Sequence, residues 1–158
     1  MIKALATLVA AALFPLPAAS QLIADSNEPI DITGDTLELV EDVATWKGNV
    51  RAIQGVAILA ADQLIATLGE DGGFKTLQAA GAVRYSNGKE AITGKTAVYD
   101  AEARSITISE NVVITQGKTV MTGGALIYWV DSGRIRFTAP GGARIRGIFH
   151  TNSLDTKL

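Results

Sequence analysis

The chain has 158 residues, of which 14 are Lys or Arg and 16 are Asp or Glu, so its formal net charge at pH 7 is −2. This balance argues against nucleic-acid binding, which usually requires a strong excess of basic residues. The chain contains no Cys and a single His. We therefore expect no disulfide, no metal site of the His and Cys types and no cofactor.

The first 20 residues have the features of a secretory signal peptide. Lys3 supplies a positive start, residues 4–16 are nearly all apolar, and residues 18–20 are small, as cleavage sites require. A membrane anchor would need about 20 apolar residues, more than this segment holds. We expect residues 1–20 to be removed on export, residues 21–150 to form one domain and residues 151–158 to be a tail.

A four-fold internal repeat organises the rest of the chain. The phrase apolar–Thr/Ala–Gly/Ala–x–x–Leu/Ala occurs at residues 32–37, 59–64, 92–97 and 121–126, at steps of 27, 33 and 29 residues. Steps of this size indicate one supersecondary unit stacked on its neighbours, and hence an elongated shape. A second phrase lies later in each copy, at residues 48–51, 81–84, 110–113 and 142–145.

The polarity of the sequence alternates with a period of two, for example at residues 105–109 and 134–137, which is typical of strands. Runs rich in Gly, Asn and Asp separate the strands. The Gly or Ala at the third position of the first phrase predicts a sharp corner or bulge. We predict an all-β fold, either an open β-jelly roll or a solenoid-like two-sheet stack of four repeats of about 27–33 residues.

One face of the predicted strands is apolar, and two interpretations of the interior remain open. It is either a closed core or, because small aliphatic side chains outnumber large aromatic ones, an incompletely filled groove suited to alkyl chains. The same apolar face includes Ile92, Ala97, Met121 and Ile135. The residues expected to line a groove are Ile30, Ile32, Leu37, Leu59, Leu64, Tyr99, Ile106, Ile108, Leu126, Tyr128 and Phe137.

No arrangement of residues typical of an enzyme is present. His150 has no nucleophile or carboxylate motif near it in the sequence. Six aspartates stand at predicted turns or corners, where Asp commonly bonds its own backbone: Asp35, Asp42, Asp62, Asp71, Asp100 and Asp131. The Gly-rich run at residues 69–73 contains two acidic residues, which would repel phosphate. We therefore predict that the protein is not an enzyme.

Charge is distributed unevenly along the chain. Residues 25–42 contain seven acidic residues and no basic one, whereas residues 132–158 contain five basic residues and one acidic residue. In a stack these segments lie at opposite ends, where unpaired edge strands would favour head-to-tail contact between protomers. Alternatively, both segments are ordinary solvated faces. The residues expected at such a contact are Asp31, Thr33, Asp35, Arg144 and Arg146.

Several short motifs, taken in their order and spacing, resemble the OstA/LptA family. They are Pro-Ile-Asp-Ile-Thr-Gly-Asp at residues 29–35, Trp-Lys-Gly-Asn-Val at residues 46–50, Ala-Asp at residues 61–62 and Ala-Val-Tyr-Asp at residues 97–100. Together with the repeat they cover roughly residues 29–147. Members of this family are periplasmic lipopolysaccharide-transport proteins of Gram-negative bacteria.

The resemblance implies an open β-jelly roll in the periplasm whose apolar groove holds the acyl chains of lipid A. Ile30, Ile32 and Tyr99 match groove positions of the family. It also implies protomers joined end to end, bridging an inner-membrane transporter component and an outer-membrane translocon that carry OstA-like domains. The alternatives are a membrane-anchored or translocon-associated relative from the same pathway, or a structural β-solenoid with a filled core that serves as an assembly module.

Overall fold

A computed structural model of the chain describes residues 28–129, 131–139 and 143–150. The predicted signal peptide and the predicted tail at residues 151–158 lie outside these ranges. The described residues contain ten strands and no helix, so the prediction of an all-β fold is confirmed. No helix in this part of the chain is long and apolar enough to cross a membrane. The strands are β1 (Asp31–Thr33), β2 (Thr36–Val40), β3 (Val43–Gln54), β4 (Ala57–Leu68), β5 (Phe74–Ser86), β6 (Glu90–Asp100), β7 (Ser105–Gln116), β8 (Thr119–Trp129), β9 (Arg134–Thr138) and β10 (Arg146–Ile148).

All ten strands belong to one antiparallel sheet. Strands β3 to β8 form a meander in which each strand pairs with the next along the chain. The sheet is split at both ends, because β1 and β2 both pair with β3, and β9 and β10 both pair with β8. Among the described residues these four short strands have no second partner, so the sheet is open at both ends.

The six long strands are all interrupted near their middle at the same level of the sheet. There the odd-numbered strands β3, β5 and β7 carry one residue more than the neighbours with which they pair, which is a β-bulge. The bulge coincides with the second repeat phrase and contains two successive residues of positive φ. These pairs are Gly48 and Asn49 (φ 77° and 48°), Gly81 and Ala82 (79° and 45°), and Glu110 and Asn111 (65° and 55°).

The bulges bend the sheet along one line and divide it into two facing walls. The first wall is the part of the sheet that includes β2 and β9, and the second wall is the part that includes β1 and β10. Each long strand contributes one half to each wall. Side chains of both walls meet in one hydrophobic cluster between them.

An acidic side chain supports the first bend. The backbone N–H of Asp35 donates to the carbonyl oxygens of Lys47 at 3.0 Å and Gly48 at 2.9 Å. Its carboxylate accepts a hydrogen bond of 2.9 Å from Nδ2 of Asn49. A Cβ at Gly48 would overlap this carboxylate, so both φ and space restrict that position to glycine.

The next two bends show which features of the first are essential. Asp62 lies against Gly81 just as Asp35 lies against Gly48. At the third bend Lys95 and Glu110 form an exposed ion pair of 3.2 Å instead. Asp and Gly are therefore one solution, and the shared requirement is the pair of left-handed residues on the odd strand.

The small residue at the third position of the first phrase does not form the corner that the sequence predicts. A Cβ at Gly94 would lie 2.6 Å from Cγ2 of Ile108, and one at Gly123 would lie 2.8 Å from the ring of Phe137. The expected steric restriction is therefore present at these glycines. The bend itself, however, is made by the left-handed residues of the second phrase on the adjacent strand.

The pairing register confirms the predicted inner face. Residues that lie opposite one another share a face of the sheet, and rows of apolar residues cross both walls. In the first wall one row contains Leu37, Trp46, Leu64, Ala79, Ala97, Ile108, Leu126 and Phe137, and the next contains Ala66, Leu77, Tyr99, Ile106, Tyr128 and Ile135. In the second wall a row contains Ile32, Ala52, Leu59, Tyr85, Ile92, Ile114 and Met121.

Candidate functional site

Over part of their length the two walls stand apart and enclose a groove. The space between them is about 750 Å³, including the open mouth. Four of the lining residues are alanines: Ala52 and Ala57 in the second wall, and Ala79 and Ala97 in the first. Ala79 and Ala97 lie directly opposite each other on β5 and β6. Larger aliphatic side chains at these positions would fill the space, as close packing of a core normally requires.

The lining comes from the segment just before β1 and from β3 to β7. It is apolar apart from the Gln54 amide and the hydroxyls of Tyr85 and Tyr99. Six of the residues predicted to line a groove do so, from strands β4, β6 and β7 and the segment before β1. They are Ile30, Leu59, Leu64, Tyr99, Ile106 and Ile108.

The other predicted residues lie on the same face but outside the groove. Leu126 and Tyr128 are each only 1% exposed and belong to the closed core. Ile32 and Phe137 are partly buried against that core. Leu37 is 57% exposed on β2, at the edge of the sheet. These five residues therefore lie on the inner face beside the groove and do not line it.

The interior combines the two arrangements that the sequence left open. Towards β8 the walls are packed together, with Val112, Ile114, Leu126 and Tyr128 all buried. None of the residues lining the groove lies on β8 or β9. The protein is thus a closed core towards its C-terminal edge and an open groove towards its N-terminal edge.

The groove residues predicted from the sequence did not include Ala52, Ile53 and Gln54 of β3 or Ala57 of β4. Nor did they include any residue of β5, which supplies Leu77, Ala79 and Tyr85 to the groove. These residues precede and follow the second repeat phrase, which carries the bend. They alternate with outward-facing residues on each side of Gly81, and Val83 belongs to the same inner face. That alternation is the signal in the sequence that could have identified them.

Tyr85 carries a polar group in an apolar setting. It is 9% exposed, and its buried hydroxyl has no hydrogen-bond partner among the described residues. Asn87 lies close enough to favour the phenolate slightly, but it forms no hydrogen bond with the hydroxyl in this arrangement. Its Oδ1 accepts from the backbone N–H groups of Lys89 and Glu90 at 3.0 Å, and its Nδ2 donates to Glu90 Oε1 at 3.1 Å. Burial, reinforced by charge on Glu90 and on Tyr128, raises the pKa of Tyr85 to about 12.

The predicted edge residues lie at the two ends of the sheet. Asp31 and Thr33 lie in β1, and Asp35 lies at the first bend. Arg146 begins β10 and Arg144 lies two residues before it; both are exposed. The two sets are separated by the full width of the sheet.

Comparison with known proteins assigns the family. The family model described as LptA/(LptD N-terminal domain) LPS transport protein matches residues 31–134, about two thirds of the chain. The chain belongs to this family. The resemblance of its sequence motifs is thereby confirmed, and membership of a transport family agrees with the expectation that the chain is not an enzyme.

Two individual proteins illustrate the relationship. An uncharacterized protein of Rhizobium meliloti is 28% identical over 128 residues, covering 74% of this chain and 69% of the relative. The crystal structure of LptH, the LptA-homologous periplasmic component of the lipopolysaccharide transport device of Pseudomonas aeruginosa, is similar with a TM-score of 0.67 at 19% identity. This match covers 80% of the present chain and 99% of LptH. It confirms the predicted β-jelly roll fold.

The raised pKa of Tyr85 predicts a specific loss of stability in alkali. Between the ordinary tyrosine pKa near 10 and the folded value of about 12, the unfolded chain has lost the phenolic proton and the folded chain has kept it. The free energy of unfolding must then fall as the pH rises. From pH 9 to pH 11 the wild type should lose about 1 kcal/mol more than Tyr85→Phe in urea denaturation. Equal losses in the two proteins would contradict the buried, unpaired phenol.

Proposed function

We propose that this protein carries lipopolysaccharide through the periplasm and holds acyl chains of lipid A in the groove between its walls. Its family supports a place in lipopolysaccharide transport. LptH, whose fold it shares, is a periplasmic component of such a device. The observation that carries the proposal for this chain is the open, almost wholly apolar groove, lined by residues of both walls.

Apolar burial provides both affinity and mobility. Each methylene removed from water contributes about 0.8 kcal/mol, so ten methylenes contribute about 8 kcal/mol before the entropy of ordering the chain is subtracted. Hydrophobic contact has no preferred direction. An acyl chain can therefore slide along the groove without breaking directional bonds, while the polar saccharide stays in water.

Carrying lipid in this way requires no chemical step from this chain. A wall of alkyl and aryl side chains binds a lipid equally well whichever way the lipid moves. The direction of movement must then come from an energised partner, which is the inner-membrane transporter component in our proposal.

The two ends of the sheet are suited to forming a bridge. The edge strands β1 and β10 both belong to the second wall, and β2 and β9 both belong to the first. Protomers stacked in the same orientation would bring β1 against β10 and β2 against β9. These pairs would be antiparallel, because five antiparallel steps separate β3 from β8. Strand addition of this kind would continue both walls from one protomer to the next.

The edges are complementary in charge and alike in apolar exposure. Asp31 and Glu38 lie at one end and Arg136 and Arg146 at the other, all of them exposed. On the inner face of the edges, Leu39 is 65% exposed on β2 and Ile135 is 49% exposed on β9. Head-to-tail contact would cover these apolar side chains and oppose unlike charges.

The free ends of such a bridge would be available to other members of the pathway. We propose that the inner-membrane transporter component and the outer-membrane translocon bind there through their own OstA-like domains, by the same strand addition. A structural module with a filled core is disfavoured by the unfilled space beside Ala52, Ala79 and Ala97.

Two adjacent residues provide a matched test of the groove. Tyr99 lines it, whereas its neighbour Val98 points to the outer face and is 37% exposed. We expect p-benzoylphenylalanine in place of Tyr99 to crosslink lipopolysaccharide in cells, and the same residue in place of Val98 to give little or none. Equal crosslinking from both positions, or none from Tyr99 in a folded variant, would exclude binding in the groove.

A charge exchange tests the head-to-tail contact. Arg144→Glu together with Arg146→Glu should weaken self-association about tenfold in analytical ultracentrifugation, because it removes attraction and adds repulsion at an exposed junction. Adding Asp31→Lys to that variant should restore part of the lost affinity. Since the chain has no Cys, Ile32→Cys with Gly147→Cys also gives a clean disulfide test in cells. A wild type that stays monomeric at high concentration, with no disulfide-linked species, would refute the contact.

A further inference from the structure

The tyrosines of this chain share an unusual placement. The sequence contains three, and all three lie on the inner face: Tyr85 in the second wall, and Tyr99 and Tyr128 in the first. A phenylalanine would fill the same space without a polar atom to satisfy. A buried hydroxyl that lacks a hydrogen-bond partner costs free energy, and Tyr85 bears that cost in the structure.

Tyr85 lies one residue before the end of β5, on the side of the groove away from the bend at Gly81 and Ala82. Gln54 is the polar residue of the lining, and Glu90 is near enough to act on the phenol. On the opposite side, towards the bend, Val83 is only 1% exposed. A chain whose polar head lay beyond this end of β5 would therefore place its first few carbons near the Tyr85 side chain.

We propose that the Tyr85 hydroxyl is a specificity site, which forms a hydrogen bond with a hydroxyl group carried by the bound acyl chain close to its head. The groove would thus select hydroxylated acyl chains over plain chains of the same length. The inference rests on the proposed function, because it requires that the groove takes acyl chains.

The chemistry of a neutral phenol suits this role. Its hydroxyl both donates and accepts, so it can pair with a ligand hydroxyl in either sense. It stays neutral over the whole physiological range, since its pKa is raised to about 12. A plain chain leaves the phenol unpaired after binding, whereas a hydroxylated chain supplies the missing partner. Sites built to pair with a ligand hydroxyl discriminate against analogues that lack it in this way.

The test compares two ligands that differ by one oxygen. Binding of 3-hydroxytetradecanoic acid and of tetradecanoic acid to the purified chain is measured by displacement of a fluorescent fatty acid. We expect the wild type to prefer the hydroxylated acid by about three- to tenfold, the range for one hydrogen bond. Tyr85→Phe should lose this preference by weakening only the hydroxylated ligand. Thr93→Val, which removes a hydroxyl from the outer face beside Ile92, should keep it.

Each contrary outcome has a distinct meaning. If the wild type binds both acids equally well, the inference is wrong and the proposed function stands. If neither acid binds, the proposed function fails and the inference with it. If Tyr85→Phe keeps the preference, another group recognises the hydroxyl and the assignment to Tyr85 is overturned.

Stability of the ligand-free protein gives an independent check. Tyr85→Phe removes an unpaired buried hydroxyl, so its midpoint of urea denaturation at pH 7 should equal or exceed that of the wild type. A clearly lower midpoint would show that the hydroxyl is already bonded within the empty protein, which would overturn the inference.

Discussion

Pairs of left-handed residues on alternate strands bend this sheet, and the remaining features of the fold depend on that bend. Strands β3, β5 and β7 each carry such a pair at the same level, so every long strand turns along one line. An unbent sheet would expose one apolar face to water. The bent sheet turns that face inward as two walls, and the backbone ladder continues on both sides of the bend, so the fold needs neither a disulfide nor a helix to cover it.

The residues at the bend explain why the repeat is visible in the sequence and why it varies. Left-handed φ favours Gly, Asn and Asp, and Gly48, Asn49 and Gly81 conform. The third bend reaches the same backbone with Glu110 and Asn111, and the ion pair of Glu110 with Lys95 replaces the contact of Asp with Gly. The geometry is thus maintained while the residues change.

Packing between the walls decides where the groove lies. Opposed alanines on β5 and β6 leave the space between the walls unfilled towards the N-terminal edge, whereas Leu126 and Tyr128 fill it towards the C-terminal edge. The groove is consequently nearest to β1 and β2, the strands that would meet the next protomer. A bound chain would lie close to the junction, where it could pass from one protomer to another.

The sequence was sufficient to predict the strands, the inner face and the two edges. The alternation of apolar and polar residues marks the strands and their inner face, and the repeat places its first and last copies at the two edges. Leu59 and Leu64 are five residues apart, yet both face inward, as do Ile92 and Ala97, because each pair spans the bend. The sequence could not separate groove from core, since Leu64 and Leu126 occupy equivalent repeat positions and only the side chains around them differ. Nor could it identify Tyr85, whose significance lies in the hydrogen bond that it lacks.

The central claim is that the space beside the alanines holds lipid, and native mass spectrometry of protein extracted gently from its own cells tests it most directly. Ala52→Phe should fill the groove from the second wall, while Arg51→Phe places the same ring on the outer face of the same strand. The account predicts a lipopolysaccharide adduct on the wild type and on Arg51→Phe, and its loss from Ala52→Phe. A wild type free of lipid, or an undiminished adduct on a folded Ala52→Phe protein, would contradict the account.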